Sequence, residues 1–596
     1  MPTITIGPGG DFRHPDASAY AALAAGSTNN SVAFVGGYSY VPDASTGRWW
    51  GLDQRYGLDK RITATITGAG PAILTALRYI TDVTSATYTG SDIWRIDVIT
   101  DSAISALNSS DEAYFGAVYS DAAAGVSIGW RYPPADSLAN VGSDGLTAAG
   151  QRAGKGIWFS DKSGDTVRLH VWCPAGSASH PATQWGGIAC ALQSSGAGAA
   201  GSAPDHHAFV FKPSGTSNPS GSRVTGDFRL IGAWEALIGT VIASRSDANS
   251  TLSDIVYSGI TMYGRGRMML TSGQAGTTIT GIKLTGGWTY DDRIDPSVYQ
   301  ATADNDGKFE FVAVEDRARD CVIEDGTVTI GLSHSVLSLQ PSTSAMSAFD
   351  GSGTEDARSS GNVFRRLRVR ARPHDETYTR AFEVRAVYGT IIDNCDFSGF
   401  SIASKIGGKA TLIEGSTWRL QSMGDSLLAE KDGREVLVMS ALDGAAIDAA
   451  ISVRMYRNTI DRRGDASRNV VDPWAGIVLK AFDTDTIPAG ALDAQCNVFL
   501  ADAGQTDSCA LRIQTYGSGT VNRNQRWMRN YCATADETRE ALAGDEAVGT
   551  AKTAAALFDT GYSAGAVRSN VNDTAANMRR RGDLPARPAM AIGVAA

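Results

Sequence analysis

Two kinds of short apolar run alternate along the second half of the chain. One kind alternates plainly between apolar and polar positions: "KFEFVAV" from Lys308, "SVLSLQ" from Ser335, "AFEVRAV" from Ala381, "EVLVMSA" from Glu435, "GIVLKAF" from Gly476 and "CALRIQT" from Cys509. The other kind is broken by polar residues near its middle: "CVIEDGTVTIG" from Cys321, "NVFRRLRVRA" from Asn362, "TIIDNCDFSGF" from Thr390, "TLIEGSTWRL" from Thr411, "SVRMYRNTID" from Ser452, "AQCNVFLAD" from Ala494 and "NRNQRWMRNYC" from Asn522. Both kinds are rich in β-branched and aromatic residues and bounded by Gly, Asp, Asn and Ser, so both read as short strands. Two strand types interleaved every roughly 20 to 40 residues are the mark of a solenoid rather than a sandwich. Each turn then stacks on the last at about 4.8 Å, and equivalent positions form ladders along the axis. The polar breaks fall where the chain turns a corner, and Asn394 and Cys395 are expected to stack there on like residues above and below, bonded to freed backbone groups.

Length and composition sharpen this picture. A chain of 596 residues would be several ordinary domains, yet no linker-like break precedes about residue 533. With 66 glycines and only 19% charged residues, the body reads as all-β with many turns. A formal charge of −10 argues against a nucleic-acid partner. No apolar stretch reaches the roughly 18 residues of a membrane span, so no membrane insertion is expected, and the start "MPTITIGPGG" has neither a basic n-region nor an apolar h-region. Synthesis in the cytoplasm without a cleaved export signal is the resulting expectation. Seven cysteines without CxxC spacing are expected to pack, reduced, in the core. No cofactor or metal is expected: "DNDG" at Asp304 to Gly307 lacks the remaining ligands of a calcium loop.

"ITIGPGGDFRHPDASAYAALAAG", Ile4 to Gly26, gives a strand, a Gly-rich turn and a short helix, which would cover the open edge of a first coil. This stretch resembles the "GxGGDF…AAL" cap that opens right-handed parallel β-helix proteins of the pectin-lyase-like superfamily, tailspikes of tailed phages among them. "SVAFVGGYSYV" from Ser31 and "RITATITGAG" from Arg61 are similar to the first coils of that family, and "GIWFSDKSGDTVRLHVW" from Gly156 to the Trp-containing hairpin often inserted early in phage spikes. The resemblance implies an all-β fold, a right-handed parallel β-helix solenoid with an N-terminal capping helix. Residues 1–30 would be the cap, 31–250 the first coils with inserted hairpins and loops, and 251–532 the regular helix. Residues 533–596 turn Ala-rich, with Thr534 and Glu537 spaced as a capping box, and read as a helical or extended tail for oligomerisation or attachment.

Three clusters could carry chemistry. If Phe309, Phe311, Phe382, Val384, Ile477, Leu479, Leu511 and Ile513 point into the coil, Glu310, Glu383, Arg385, Lys480 and Arg512 point outward as a row suited to sugar hydroxyls or acidic sugars. A solvated face accounts for the same pattern. The acidic "YDDRID" supplies Asp291, Asp292 and Asp295, with Glu310, Glu315 and Asp316 close in sequence; two facing carboxyls are what glycoside hydrolysis needs, and loop charges capping turns are the plainer reading. In "RRLRVRARPHDETYTR", Arg366, Arg368 and Arg370 alternate on one strand before His374, Asp375, Glu376 and Tyr378, a set able to neutralise a uronate and take its α-proton, or simply to form salt bridges between coils. Trp49, Trp50, Trp185, Trp288, Tyr290 and Trp474 lie in turn-like surroundings, where a ring can carry the apolar face of a sugar or close a coil end.

No triad, metal motif or phosphate loop stands out. The resemblance implies, as the leading expectation, a receptor-binding spike or fibre on the surface of a virion or phage-like particle, a homotrimer holding host capsular or lipopolysaccharide, and the missing motifs rank binding ahead of catalysis. A polysaccharide depolymerase, hydrolase or lyase, on the same scaffold is the alternative. Because the cap begins almost at Met1, attachment to capsid or tail structural proteins would use the cap, the tail or an adaptor.

Overall fold

The computed structural model describes residues 3–24, 30–40, 59–75, 77–80, 83–100, 115–123, 127–143, 155–163, 166–174, 178, 180–192, 207–211, 213, 218–231, 235–241, 251–264, 268–272, 278–294, 311–315, 317–331, 335–339, 359–372, 380–385, 387–400, 404–420, 435–440, 451–463, 475–481, 486–501, 508–534, 536–541 and 550–552. Their strands form three long sheets. Sheet I runs from Ile4–Ile6 to Arg526–Met528, sheet II from Tyr38–Tyr40 to Tyr531–Ala533, and sheet III from His207–Phe211 to Asp536–Ala541, closed by an antiparallel strand at Thr550–Lys552. In the regular part each coil gives one strand to each sheet and pairs in parallel with the coils before and after it. The chain is a parallel β-helix. Coil length varies widely: sheet I partners Ile391 and Leu412 are 21 residues apart, whereas Leu412 and Arg454 are 42 apart. The difference is taken up outside the strands, so the ladder is undisturbed.

Alternation places the core as the sequence predicts. Phe311, Phe382, Val384, Ile477, Leu479, Leu511 and Ile513 are all buried, while Phe309 lies outside the described residues. Along the inner side of sheet II, Tyr290, Val328, Val369, Phe397, Trp418, Ile460 and Phe499 stack coil upon coil. Rings of this stack lie nearly parallel to a neighbour in two places, Phe397 on Trp418 within it at 5.5 Å and 16° and Tyr290 on Phe311 of the opposite wall at 4.2 Å and 22°. All seven cysteines are buried as free thiols outside any disulfide, and burial pushes the thiols of Cys321, Cys395 and Cys509 up to about 12.

The corner between sheets I and II is built differently from the expectation. Asn394 occupies a left-handed position at φ 51°, shared with Asp325, Arg366, Gly415, Arg457, Cys496 and Arg529 in other coils, and it projects outward. The residue after it turns into the core. At that inner position stand Cys395, Ser416, Asn458, Asn497 and Asn530, and the ladder of like residues is Asn458–Asn497–Asn530. Cys395 stacks on Ser416, whose hydroxyl takes its N–H at 3.1 Å. A short left-handed residue costs little for Gly, Asn or Asp and more for Arg. Arg366 offsets that cost by bonding Glu324 and Asp325 at 2.7 and 2.6 Å.

The cap forms as expected. Asp16 accepts from the N–H groups of Ser18 and Ala19 to start a helix at Ala17–Ala21, and Ala19 and Leu23 bury against the first coils. Between the early coils sits an inserted unit of two antiparallel sheets, from Leu77–Ile80 to Ile188–Leu192. Its hairpin of Trp158–Ser163 with Thr166–Trp172 matches the one read from sequence, and Trp158 is sealed in a core of its own with its indole N–H on Tyr132 O at 2.8 Å. The unit docks on the outer face of sheet II: Tyr119, Ile128 and Ala189 pack with Ile73 and Ile231, and the Arg131 N–H bonds Arg293 O at 2.7 Å.

At the far end, Asp536–Ala541 is a strand parallel to Cys509–Thr515 where the capping-box spacing predicts a helix. The hydroxyl of Thr534 bonds Asp536 O at 2.7 Å and does not cap a helix. Residues 553–596 lie outside the described residues. Among the described residues no helix is long and apolar enough to cross a membrane.

Candidate functional site

The sequence-predicted residues fall on two different walls. Glu383, Lys480 and Arg512 lie on the outer face of sheet III, with Arg385 just beyond its strand, and that face is itself covered. Glu383 is fully buried and forms ion pairs with Arg380, Arg385 and Lys405, with the Ser335 hydroxyl at 3.1 Å. Arg512 is buried beside its ladder neighbour Arg539, and Lys480 is half-buried over the ring of Tyr516 at 5.3 Å. Alternation correctly points these side chains away from the coil interior, but the row is not an open glycan surface, because strand pattern says nothing of what packs on the outer face. Trp288 is a further correction: it is buried, stacked at 5.5 Å on Phe311, with its indole N–H on Glu324 O at 2.8 Å. Trp185 and Tyr290 are buried too. Glu310, His374, Tyr378 and Trp474, with Trp49 and Trp50, lie outside the described residues.

On the outer face of sheet II the acidic and arginine-rich clusters meet. Asp291 ends the strand Thr289–Asp291, and its register partners in the next coils are Thr329 and Arg370. Arg372, two residues past Arg370, reaches back to bond Asp291, Asp292 Oδ1 at 2.7 Å and Ile294 O at 2.8 Å. Asp292 is wholly buried. Its Oδ1 also takes the Ile294 N–H at 3.0 Å, and Oδ2 takes that of Gly331 at 2.7 Å. Burial pushes its carboxyl above the usual range, with Arg372 opposing. A carboxyl with both oxygens bonded and no solvent contact locks the turn at 292–294 to the following coil; it does not face a polymer. Asp291 stays partly open but is shared between Arg372 and Arg293.

The middle of this wall is open. One outward row reads Thr289, Thr327, Arg368, Asp396 and Thr417, and the row beside it Asp291, Thr329, Arg370, Ser398, Arg419 and Asp461. At about 4.8 Å per coil the second row extends about 24 Å, long enough for a chain of sugar rings. Arg366 is spent at the corner. Arg368 and Arg370 are exposed, and neither side chain has an ion pair or hydrogen bond with a described residue. Asp396 faces Arg419 at 3.7 Å, and Asp461 is held by Arg463 at 2.9 Å. The open stretch ends, toward the N-terminus, where the inserted unit sits. Trp130 of that unit is left 37% exposed, with the Arg372 guanidinium 5.1 Å from its ring centre. Sequence reasoning passed over Trp130 and Arg372, since their contact joins segments more than 200 residues apart and only "GWRYPP" hinted at an aromatic turn. Among the described residues no group of three or more His, Cys, Asp or Glu could hold a metal ion.

No protein-family model matches the chain, and no curated protein does. Among solved structures it is similar to a glycoside hydrolase, at TM-score 0.34 and 8% identity over 84% of this chain and 89% of that one. It is also similar to tailspike gp61 of Pseudomonas phage phi297, at 0.26 and 10% over 88% and 67%. A third is PfbA, a surface adhesin of Streptococcus pneumoniae, at 0.26 and 9% over 55% and 84%.

Proposed function

We propose that this β-helix is a spike or fibre of a tailed phage or phage-like particle that holds an acidic surface polysaccharide, capsular or lipopolysaccharide, along the open wall of sheet II. The observation that carries this reading is the pair Arg368 and Arg370, with exposed side chains that pair with no described residue, on a ladder otherwise lined by Thr, Ser, Asp and the Asp396-paired Arg419. Hydroxyls and carboxylates at a fixed pitch suit sugar hydroxyls, and the two guanidinium groups suit a carboxylate or phosphate on the polymer. Homotrimeric assembly and an adaptor on the particle belong to the same proposal. Cleavage is the second reading, and Asp291, still partly open at the head of the wall, is the observation in its favour.

Retention of capsular and lipopolysaccharide fractions on immobilised protein tests the proposal, with polymer size followed alongside. A charge-assisted hydrogen bond contributes about 1.5–3 kcal/mol when shielded, and exposure lowers this to about 1 kcal/mol for each arginine. The double variant Arg368→Ala/Arg370→Ala should therefore bind about 30-fold more weakly, and the wild type should lose affinity as salt rises. Unchanged binding by the double variant would sink the assignment of this wall. A fall in polymer size that is lost in Asp291→Asn would establish the depolymerase reading.

A further inference from the structure

We propose that the inserted unit completes the wall with a sugar-stacking platform at Trp130. The site would then read two features of one polymer: an acidic group against Arg368 and Arg370, and the apolar face of a neighbouring pyranose against the indole. This rests on the glycan reading of sheet II and adds to it the composition of the ligand.

Among the described residues the large hydrophobic side chains left exposed are Tyr88, Trp130 and Leu138, all on the inserted unit. Only Trp130 is in contact with the edge of the open wall, through Arg372. Its backbone is fixed on both sides. The Trp130 N–H is 3.3 Å from the Ser120 hydroxyl, its carbonyl accepts from Ser120 N at 3.0 Å, and the next residue is bonded to Arg293 O. The guanidinium that packs on the ring is itself fixed by three acceptors, Asp291, Asp292 and Ile294 O.

An aromatic ring with one face against a pinned cation and more than a third of the residue in water is preorganised for a second partner. The Arg372 guanidinium reaches back to Asp291 and Asp292, and Asp291 lies two coils before Arg370 in register, so the indole stands about 10 Å from the two open arginines, at the N-terminal end of the wall. Two rings of a single glycan chain span that separation. The polymer so described carries an acidic residue beside a sugar whose axial hydrogens form a flat apolar face, and the insertion, rather than the solenoid, selects the second sugar.

The test uses the full chain and one polysaccharide fraction retained by the wild type, in its native form and after chemical reduction of its carboxyl groups. Trp130→Ala should weaken both forms by about tenfold, the scale of a lost aromatic contact, while Trp130→Phe should keep most of the affinity. Arg368→Ala/Arg370→Ala should weaken the native form and leave the reduced form unchanged. Tryptophan fluorescence gives an independent readout: a component quenched by acrylamide in the wild type, missing in Trp130→Phe, should be protected by polymer. If the wild type retains no fraction, the glycan reading and the platform fall together. If the arginine variant loses affinity while Trp130→Ala binds as the wild type does, the platform alone is overturned.

Discussion

Replacing Asn497 by Ala tests the corner ladder directly. Asn497 is fully buried, and its side chain makes four bonds: Oδ1 accepts from the Asn458 N–H and from Asn458 Nδ2, both at 3.0 Å, and Nδ2 donates to Met455 O at 2.9 Å and Asn530 Oδ1 at 3.0 Å. Two neighbours keep a partner after the change. Asn458 Nδ2 still reaches Ile413 O at 2.9 Å, and Asn530 Oδ1 still takes the Asn497 N–H at 3.0 Å. The Asn458 N–H loses its partner, and the Met455 carbonyl, which lies within the ladder to Ala494, loses its side-chain donor. At about 1–3 kcal/mol for the buried N–H left unbonded and about 0.5–1.5 kcal/mol for each of the other bonds lost, the loss comes to about 4 kcal/mol.

Ser416 shows what a smaller residue does at the same corner: its hydroxyl accepts from the Cys395 N–H and donates to Glu414 O, both at 3.1 Å. Asn497→Ser should therefore satisfy the Asn458 N–H and lose only about half as much, roughly 2 kcal/mol. Because a solenoid opens coil by coil, amide exchange across residues 453–500 is the appropriate measurement. The Ala variant should exchange about 1000-fold faster there than the wild type, and the Ser variant about 30-fold faster. Exchange within about threefold of wild type in the Ala variant, or a Ser variant no better than Ala, would refute this account of the ladder.

Gly326→Ala should destabilise by about 3 kcal/mol in chemical denaturation, since an added Cβ would lie 2.1 Å from the Trp288 ring, itself held by Glu324 O and Phe311. Gly142→Ala, which meets nothing within 4 Å, is the matched control, and equal midpoints for the two would count against the tight packing of Trp288. The bond from Arg366 holds the Asp325 carboxyl below its ordinary range. Its contribution is thus present above the unfolded value of about 4 and lost as pH falls through the lower folded value. Asp325→Asn should flatten the loss of stability below about pH 4, by only a few tenths of a kcal/mol given the exposure of the pair, and parallel acid titrations of variant and wild type would contradict it.

The strands, the cap and the early hairpin were legible because each depends on local pattern: alternation in "AFEVRAV", a turn and N-cap before Ala17, a Trp in a paired run. The candidate site was legible only in part. Arg368 could be placed because its strand alternates cleanly into solvent, and Asp291 because its register follows from the same sheet. Glu383, Arg512 and Trp288 have sequence surroundings equally suited to exposure, yet each is covered by packing from another coil or another face, which no single strand encodes. The strand at Asp536–Ala541 shows the same limit: alanine and a capping-box spacing favour a helix locally, but the free edge of Cys509–Thr515 offers a full ladder of bonds. Asn394 was placed one residue out, because the left-handed position and the inward position are neighbours and both accept Asn.

The wide range of coil lengths has a mechanical consequence. Twenty-one residues or forty-two between ladder partners leave the strands in the same register, so the pitch of the sheet II wall is fixed by backbone bonding and is insensitive to the loops. Loops can then diverge as freely as surface segments do while the wall keeps the calibration of a ruler. Individual graduations on that ruler can be rewritten one side chain at a time, and the insertion of a whole coil would add one more mark without changing the spacing of the others.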